Sequence, residues 1–148
     1  MAYIIFVNGE DRAYKIAAND SDKDNLNFVA EHCTVKSVSD ADFNKIRLNQ
    51  AWASLSGDTI TYNDSVFSGF KSADELSSYL NNVKSLATPF VNANPSHPKK
   101  TEVENYISVI NGIDTSSIVP DADTPLEKTW EQYCQDNGIT FLHPLQIP

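Results

Sequence analysis

Glycine is scarce in this chain, and its five copies are scattered along 148 residues. A loop that cradles a phosphate needs clustered glycines so that the backbone N–H groups can come close, and neither a G-x-G-x-x-G turn nor a Walker loop occurs. Cysteine is scarcer still. Cys33 and Cys134 lie far apart with no C-x-x-C spacing, so neither a zinc ribbon nor a thioredoxin-type motif is expected, and two isolated thiols suit a reducing compartment. The three histidines, His32, His97 and His143, have no ligand at a helical spacing. His32 and Cys33 are adjacent, and adjacent residues on a strand point to opposite faces. No G-x-S-x-G elbow or H-E-x-x-H helix is present, and no carboxylate spacing picks out an acid–base pair. The expectation is a protein that is not an enzyme and takes no cofactor.

Positive charge is also thin. Eleven bases face twenty acids, for a formal charge of −9, and only Lys99 and Lys100 stand side by side. Binding to DNA or RNA requires a basic face that neutralises phosphates, so no direct nucleic-acid contact is expected. The acids are spread over both halves of the chain and form no dense run, which argues for a solvated acidic surface rather than a mimic of DNA. The apolar stretch near the start, YIIFV, is too short for a signal peptide or a membrane span, so a soluble chain with no membrane partner is expected.

What is present is the makings of a core. Apolar residues are 41% of the chain and charged residues 21%, the balance of a globular protein, and the length suits one domain. The opening run YIIFV, the turn signal NGED and the alternating AYKIA predict a β-hairpin with Asn8-Gly9 near its turn. The polar stretch from Asn19 to Asp24 leads into LNFVAEH, read as a short helix, and CTVKSV reads as a third strand. Ser39 with Asp42 opens a helix whose inward face holds Phe43 and Ile46. AWASL and TITY, parted by Ser56-Gly57-Asp58, predict a second hairpin.

After Phe70 the apolar period changes from two to between three and four, which predicts three helices. The first starts at the capping box Ser72/Glu75, carries the stripe Leu76, Tyr79, Leu80, Val83, Leu86, Ala87 and Phe90, and stops before Pro95. The second runs from Lys99 to Asn111, with Val103, Tyr106, Ile107 and Ile110 on one side and Gly112 at its end, antiparallel to the first. The third should start with Thr124 as N-cap, Pro125 at N1 and Glu127 at N3, and stop at Asn137-Gly138. Its apolar face would be Leu126, Trp130, Tyr133 and Cys134. The fold class expected is therefore α+β: a strand-rich lobe over residues 1–70 with two β-hairpins, then a helical lobe over 71–148 ending in an extended tail. The two lobes would form one compact domain or two.

Two sets of residues are candidates for function. In DSDKDNLNFVAE, Asp20, Asp22 and Asp24 take positions one, three and five of a calcium loop and Glu31 takes position twelve. Oxygens at alternate loop positions can wrap a hard cation. Position six is Asn25 where glycine is usual, position eight is the polar Asn27, and the segment before it reads as a strand. The competing reading is an acidic turn whose Asp20 or Ser21 caps a helix. The second set is the ending ITFLHPLQIP, apolar yet carrying two prolines, which can neither continue a helix nor enter a central strand. It reads as a segment that lies on its own body or on a neighbour, with Phe141, Leu142, Pro144, Leu145 and Ile147 as interface residues. Trp130 joins them as an interface anchor. For Trp130, and for Trp52 on its strand, closing the core is the competing role.

The segments YKIAANDSDKDNLN, VSDADFNKIRLN, SGDTITYND and LEKTWEQYCQDNGITFLHPLQIP resemble small proteins encoded among the tail genes of marine tailed bacteriophages. The resemblance implies a virion protein, a structural component acting through protein–protein interaction, or else a factor for tail-fibre assembly. It also implies other phage structural proteins as partners, such as tail or tail-fibre subunits. The chain would be an oligomer or part of a larger assembly, located in the virion and, before assembly, in the host cytoplasm. A calcium-dependent binding module is the third expectation.

Overall fold

The computed structural model describes residues 1–148, and its antiparallel strands and helices give the α+β class. Contacts divide the chain into two units, Met1–Val66 and Phe67–Ile147, beside the division expected at residue 70.

In the first unit, β1 (Ala2–Val7) pairs antiparallel with β2 (Ala13–Ala17) on one side and with β3 (Cys33–Val38) on the other. Gly9, in the turn, has φ +89°, a backbone region that glycine enters without strain. Opposite β1 the register slips: Ile5 faces Lys15 while Phe6 faces Ala13, so Tyr14 is a bulge. Ile4, Ile5 and Phe6 are all buried in succession, so both faces of β1 are covered. Between β2 and β3 lies α1 (Asp20–Asn25), followed by a single 3₁₀ turn over Ala30–His32. The helix read over LNFVAEH is thus corrected: it forms upstream, where Asn19 accepts a hydrogen bond from the Asp22 N–H at 2.8 Å and caps it.

Helix α2 (Asp40–Arg47) starts as expected, with Ser39 Oγ accepting from the Asp42 N–H, and buries Phe43 and Ile46 against β1 and β4. Asn49, at φ +57°, closes it in the left-handed conformation that asparagine tolerates. The hairpin of β4 (Ala51–Ser56) and β5 (Thr59–Asp64) turns through Gly57-Asp58. It joins the three-stranded sheet through a bridge between Arg12 and Ser54, with the Arg12 guanidinium 4.1 Å from the centre of the Trp52 ring. Trp52 thus sits on its strand, half-buried.

In the second unit, α3 (Ala73–Ala93) begins at Ser72, whose hydroxyl accepts from the Glu75 N–H, while the Glu75 carboxylate accepts from the Lys71 N–H at 2.7 Å. Leu76, Leu80, Val83, Ala87 and Phe90 are buried, but Leu86 is 54% exposed. Tyr79, one heptad earlier on the same line, packs against the Phe70 ring at 5.5 Å. Helix α4 (Lys100–Asn111) runs back along α3: Lys84 donates to Asn111 Oδ1, and Ser77 meets Thr115. A short helix, α5 (Thr115–Ile118), is capped by Asp114, which accepts from the Ser116 and Ser117 hydroxyls and is held below the usual carboxylate range by them.

The last helix, α6, spans Trp130–Asp136 with Thr129 as its cap, five residues after the expected Thr124. The reason is upstream. Phe70 and Leu126 exchange two backbone hydrogen bonds at 2.9 Å, which hold Leu126 extended where a helix would need it coiled. Gly69 makes that approach possible, since a Cβ there would lie 2.8 Å from the Leu126 carbonyl oxygen, and its φ is +82°. Thr124 instead donates its hydroxyl to Asp121.

Candidate functional site

The residues with the calcium-loop spacing, Asp20, Asp22, Asp24 and Glu31, do not form a loop. A loop that wraps a cation presents alternate oxygens to one centre. Residues 20–25 are helical, and on a helix Asp22 points away from Asp20 and Asp24. Their carboxylates are also occupied in other ways. The Tyr3 hydroxyl donates to Asp20, and this bond raises the tyrosine pKa above its ordinary value. Lys23 lies 3.9 Å from both Asp20 and Asp24, and Glu31 stands beside His32 in the 3₁₀ turn. Nowhere do three His, Cys, Asp or Glu side chains gather so that they could hold a metal ion.

Titratable groups do gather in the interior of the helical unit. Trp130 Nε1 donates to the Tyr106 hydroxyl at 2.8 Å, its ring stacks on Tyr133, and Tyr106 meets Phe141 edge-on. Beside them Glu131 is fully buried, with Gln135 Nε2 donating to its Oε1 at 3.4 Å. Burial, and then the nearby Glu131 charge, pushes the Cys134 thiol up to about 12. Burial likewise pushes Tyr79 up to about 12 and raises Tyr106, against a smaller lowering by its bond to Trp130. The thiolate is the reactive form of cysteine, so at neutral pH Cys134 is an inert thiol. Cys33 is also free, and no disulfide joins the two.

The expected interface residues are, for the most part, interior. Trp130, Leu142 and Ile147 are buried in the core of the helical unit, Phe141 packs against it, and Pro144 and Leu145 are half-buried. The end of the chain is not an extended docking tail. It folds into a 3₁₀ turn over Pro144–Gln146, in which His143 Nδ1 accepts from the Leu145 N–H and Gln146 Oε1 accepts from the His143 N–H. The prolines that bar a helix are compatible with this tight turn, and the apolar side chains then find cover on the same chain.

The helical hairpin, expected from its sequence to make subunit contacts, has an open groove whose residues no motif marked. Between α3 and α4 lies a groove of about 580 Å³, walled by Thr88, Val91, Pro95 and Ile107, with Lys100 and Glu104 paired at 3.1 Å along it. Its volume is of the size that admits side chains or a small molecule. The one sequence signal was Val91, which widens the α3 stripe beyond Phe90 at its C-terminal end. Comparison of the chain with protein-family models, with curated proteins and with solved structures finds no match.

Proposed function

We propose that this chain is a non-enzymatic structural protein of a tailed-phage particle, acting through contacts with other proteins. The supporting observation is the distribution of reactive and apolar groups. Cys134 and Tyr79 are held protonated in the interior, whereas the α3–α4 groove and the exposed Leu86 and Val109 put apolar surface where a partner can cover it. The sparse and scattered bases fit a protein partner better than a nucleic acid. The phage setting rests on the sequence resemblance alone, which points to tail or tail-fibre subunits as neighbours.

Quantitative mass spectrometry of purified particles is the test. The proposal expects the chain in every particle at a fixed ratio to the tail proteins. Its absence from finished particles, together with co-purification with a fibre subunit from infected cells, would make it an assembly chaperone instead.

A further inference from the structure

Three Asn-Gly pairs occur in the chain: Asn8-Gly9, Asn111-Gly112 and Asn137-Gly138. In such a pair the glycine nitrogen can attack the asparagine side-chain carbonyl carbon, because no Cβ on the next residue blocks the approach. A bond forms between the glycine N and Asn Cγ, the Cγ–Nδ2 bond breaks, and the side-chain nitrogen leaves as ammonia. The proton lost from the glycine N–H passes to water and on to the leaving group. Water then opens the five-membered succinimide at one carbonyl or the other and leaves aspartate or isoaspartate. No electrons are exchanged with any cofactor. The fold decides which pair reacts, by engaging or freeing the attacking N–H and the leaving amide.

Two pairs are restrained. Asn111 belongs to helix α4, and the Gly112 N–H that would have to attack donates to the Ser108 and Val109 carbonyls; Lys84 donates to Asn111 Oδ1, so here it is the engaged N–H that holds the pair back. At the end of α6, the Asn137 amide nitrogen donates to the Tyr133 carbonyl at 2.9 Å, and the Gly138 N–H donates to Gln135. The hairpin turn differs from both in its attacking group. The Gly9 N–H donates to no backbone carbonyl, and the space around Gly9 is open. The Thr34 hydroxyl donates to Asn8 Oδ1 at 2.7 Å. A donor at that oxygen draws charge from Cγ and stabilises the negative charge that develops on Oδ1 as nitrogen attacks, the logic of an oxyanion hole.

We infer that Asn8-Gly9 is a site of spontaneous self-modification, at which the folded hairpin converts Asn8 to aspartate and isoaspartate with assistance from Thr34. The product adds a carboxylate beside Glu10 and Asp11. In its isoaspartyl form it also routes the main chain through the side-chain methylene, lengthening the turn between β1 and β2.

The test holds the folded chain at mildly alkaline pH, digests samples over time, and follows each Asn-Gly peptide by mass spectrometry with isoaspartate-resolving fragmentation. Conversion at Asn8 is expected to run several-fold faster than at Asn137 or Asn111 in the folded protein, and the three rates should draw together in concentrated urea. Thr34→Val should slow Asn8 and leave Asn137 unchanged. The inference is overturned if folded Asn8 converts no faster than Asn137, or if Thr34→Val leaves the Asn8 rate as it was.

Discussion

The pairing of Trp130 with Tyr106 shows how a single buried donor constrains its surroundings. Its indole N–H has the Tyr106 hydroxyl as acceptor in an interior without bulk water. Tyr106→Phe keeps the ring and removes the acceptor, and leaving a buried donor unsatisfied costs about 1–3 kcal/mol. Urea unfolding followed by tryptophan fluorescence should show that loss, whereas a change near zero would mean that the bond contributes nothing. The raised groups nearby make a second prediction. Folding holds Cys134 protonated from its ordinary 9.0 up to about 12, and Tyr79 from 10.0 up to about 12. The unfolded chain releases these protons first, so the stability they contribute is complete below pH 9 and is lost as pH rises from 9 toward 12. The unfolding midpoint should fall across that window, and Cys134→Ala should flatten the fall. Trp130 and Cys134 were readable in advance because they sit on an apolar stripe. Glu131 was not, since nothing in a polar letter beside a tryptophan announces that its carboxylate points inward.

Elements whose signals are local were legible. Asn8-Gly9 and Gly57 marked the hairpins, and Ser39 and Ser72 marked two helix starts, because turn and cap chemistry is settled within a few residues. Two readings failed where a distant partner intervened. The Thr124-Pro125-Leu126-Glu127 start is a strong local signal, but the bridge from Phe70 claims both backbone groups of Leu126, and the helix waits until Thr129. The acidic run after Asn19 fits a calcium loop in spacing alone. Once Asn19 caps it and Tyr3 takes Asp20, a helix is the satisfied alternative. The shifted start has a direct consequence for mutation. Thr129→Ala should cost the unit about 1 kcal/mol, the usual worth of a cap. Thr124→Ala removes only an exposed bond to Asp121 and should stay within about 0.5 kcal/mol. Paired chemical denaturation of the two variants checks the order, and the reverse order would place the start of α6 at Thr124.

Across the whole chain, each unit has apolar side chains of its own: the strand-rich unit buries Ile4, Ile5, Phe6, Phe43 and Ile46, and the helical unit closes over Trp130. The end of the chain decides whether that second core is complete. Sequence alone allowed ITFLHPLQIP two homes, its own body or a neighbour, and favoured the neighbour as an extended docking tail, because apolar character says that a segment must be covered and not by what. The structure puts Leu142 and Ile147 inside the core that also holds Leu76, Val103 and Tyr106. Fully burying such an aliphatic side chain is worth about 1.5–3 kcal/mol. Deleting residues 141–148 therefore removes at least about 3 kcal/mol from these two positions, and it also strips the Phe141 ring from Tyr106. Domains of this size are stable by only about 5–15 kcal/mol, so the loss is a large share of the whole. The truncated chain should unfold at clearly lower urea by circular dichroism of the isolated protein, with no partner added. An unchanged midpoint would return the segment to the role of an external contact, since a piece of chain that the core does not need is free to serve another molecule.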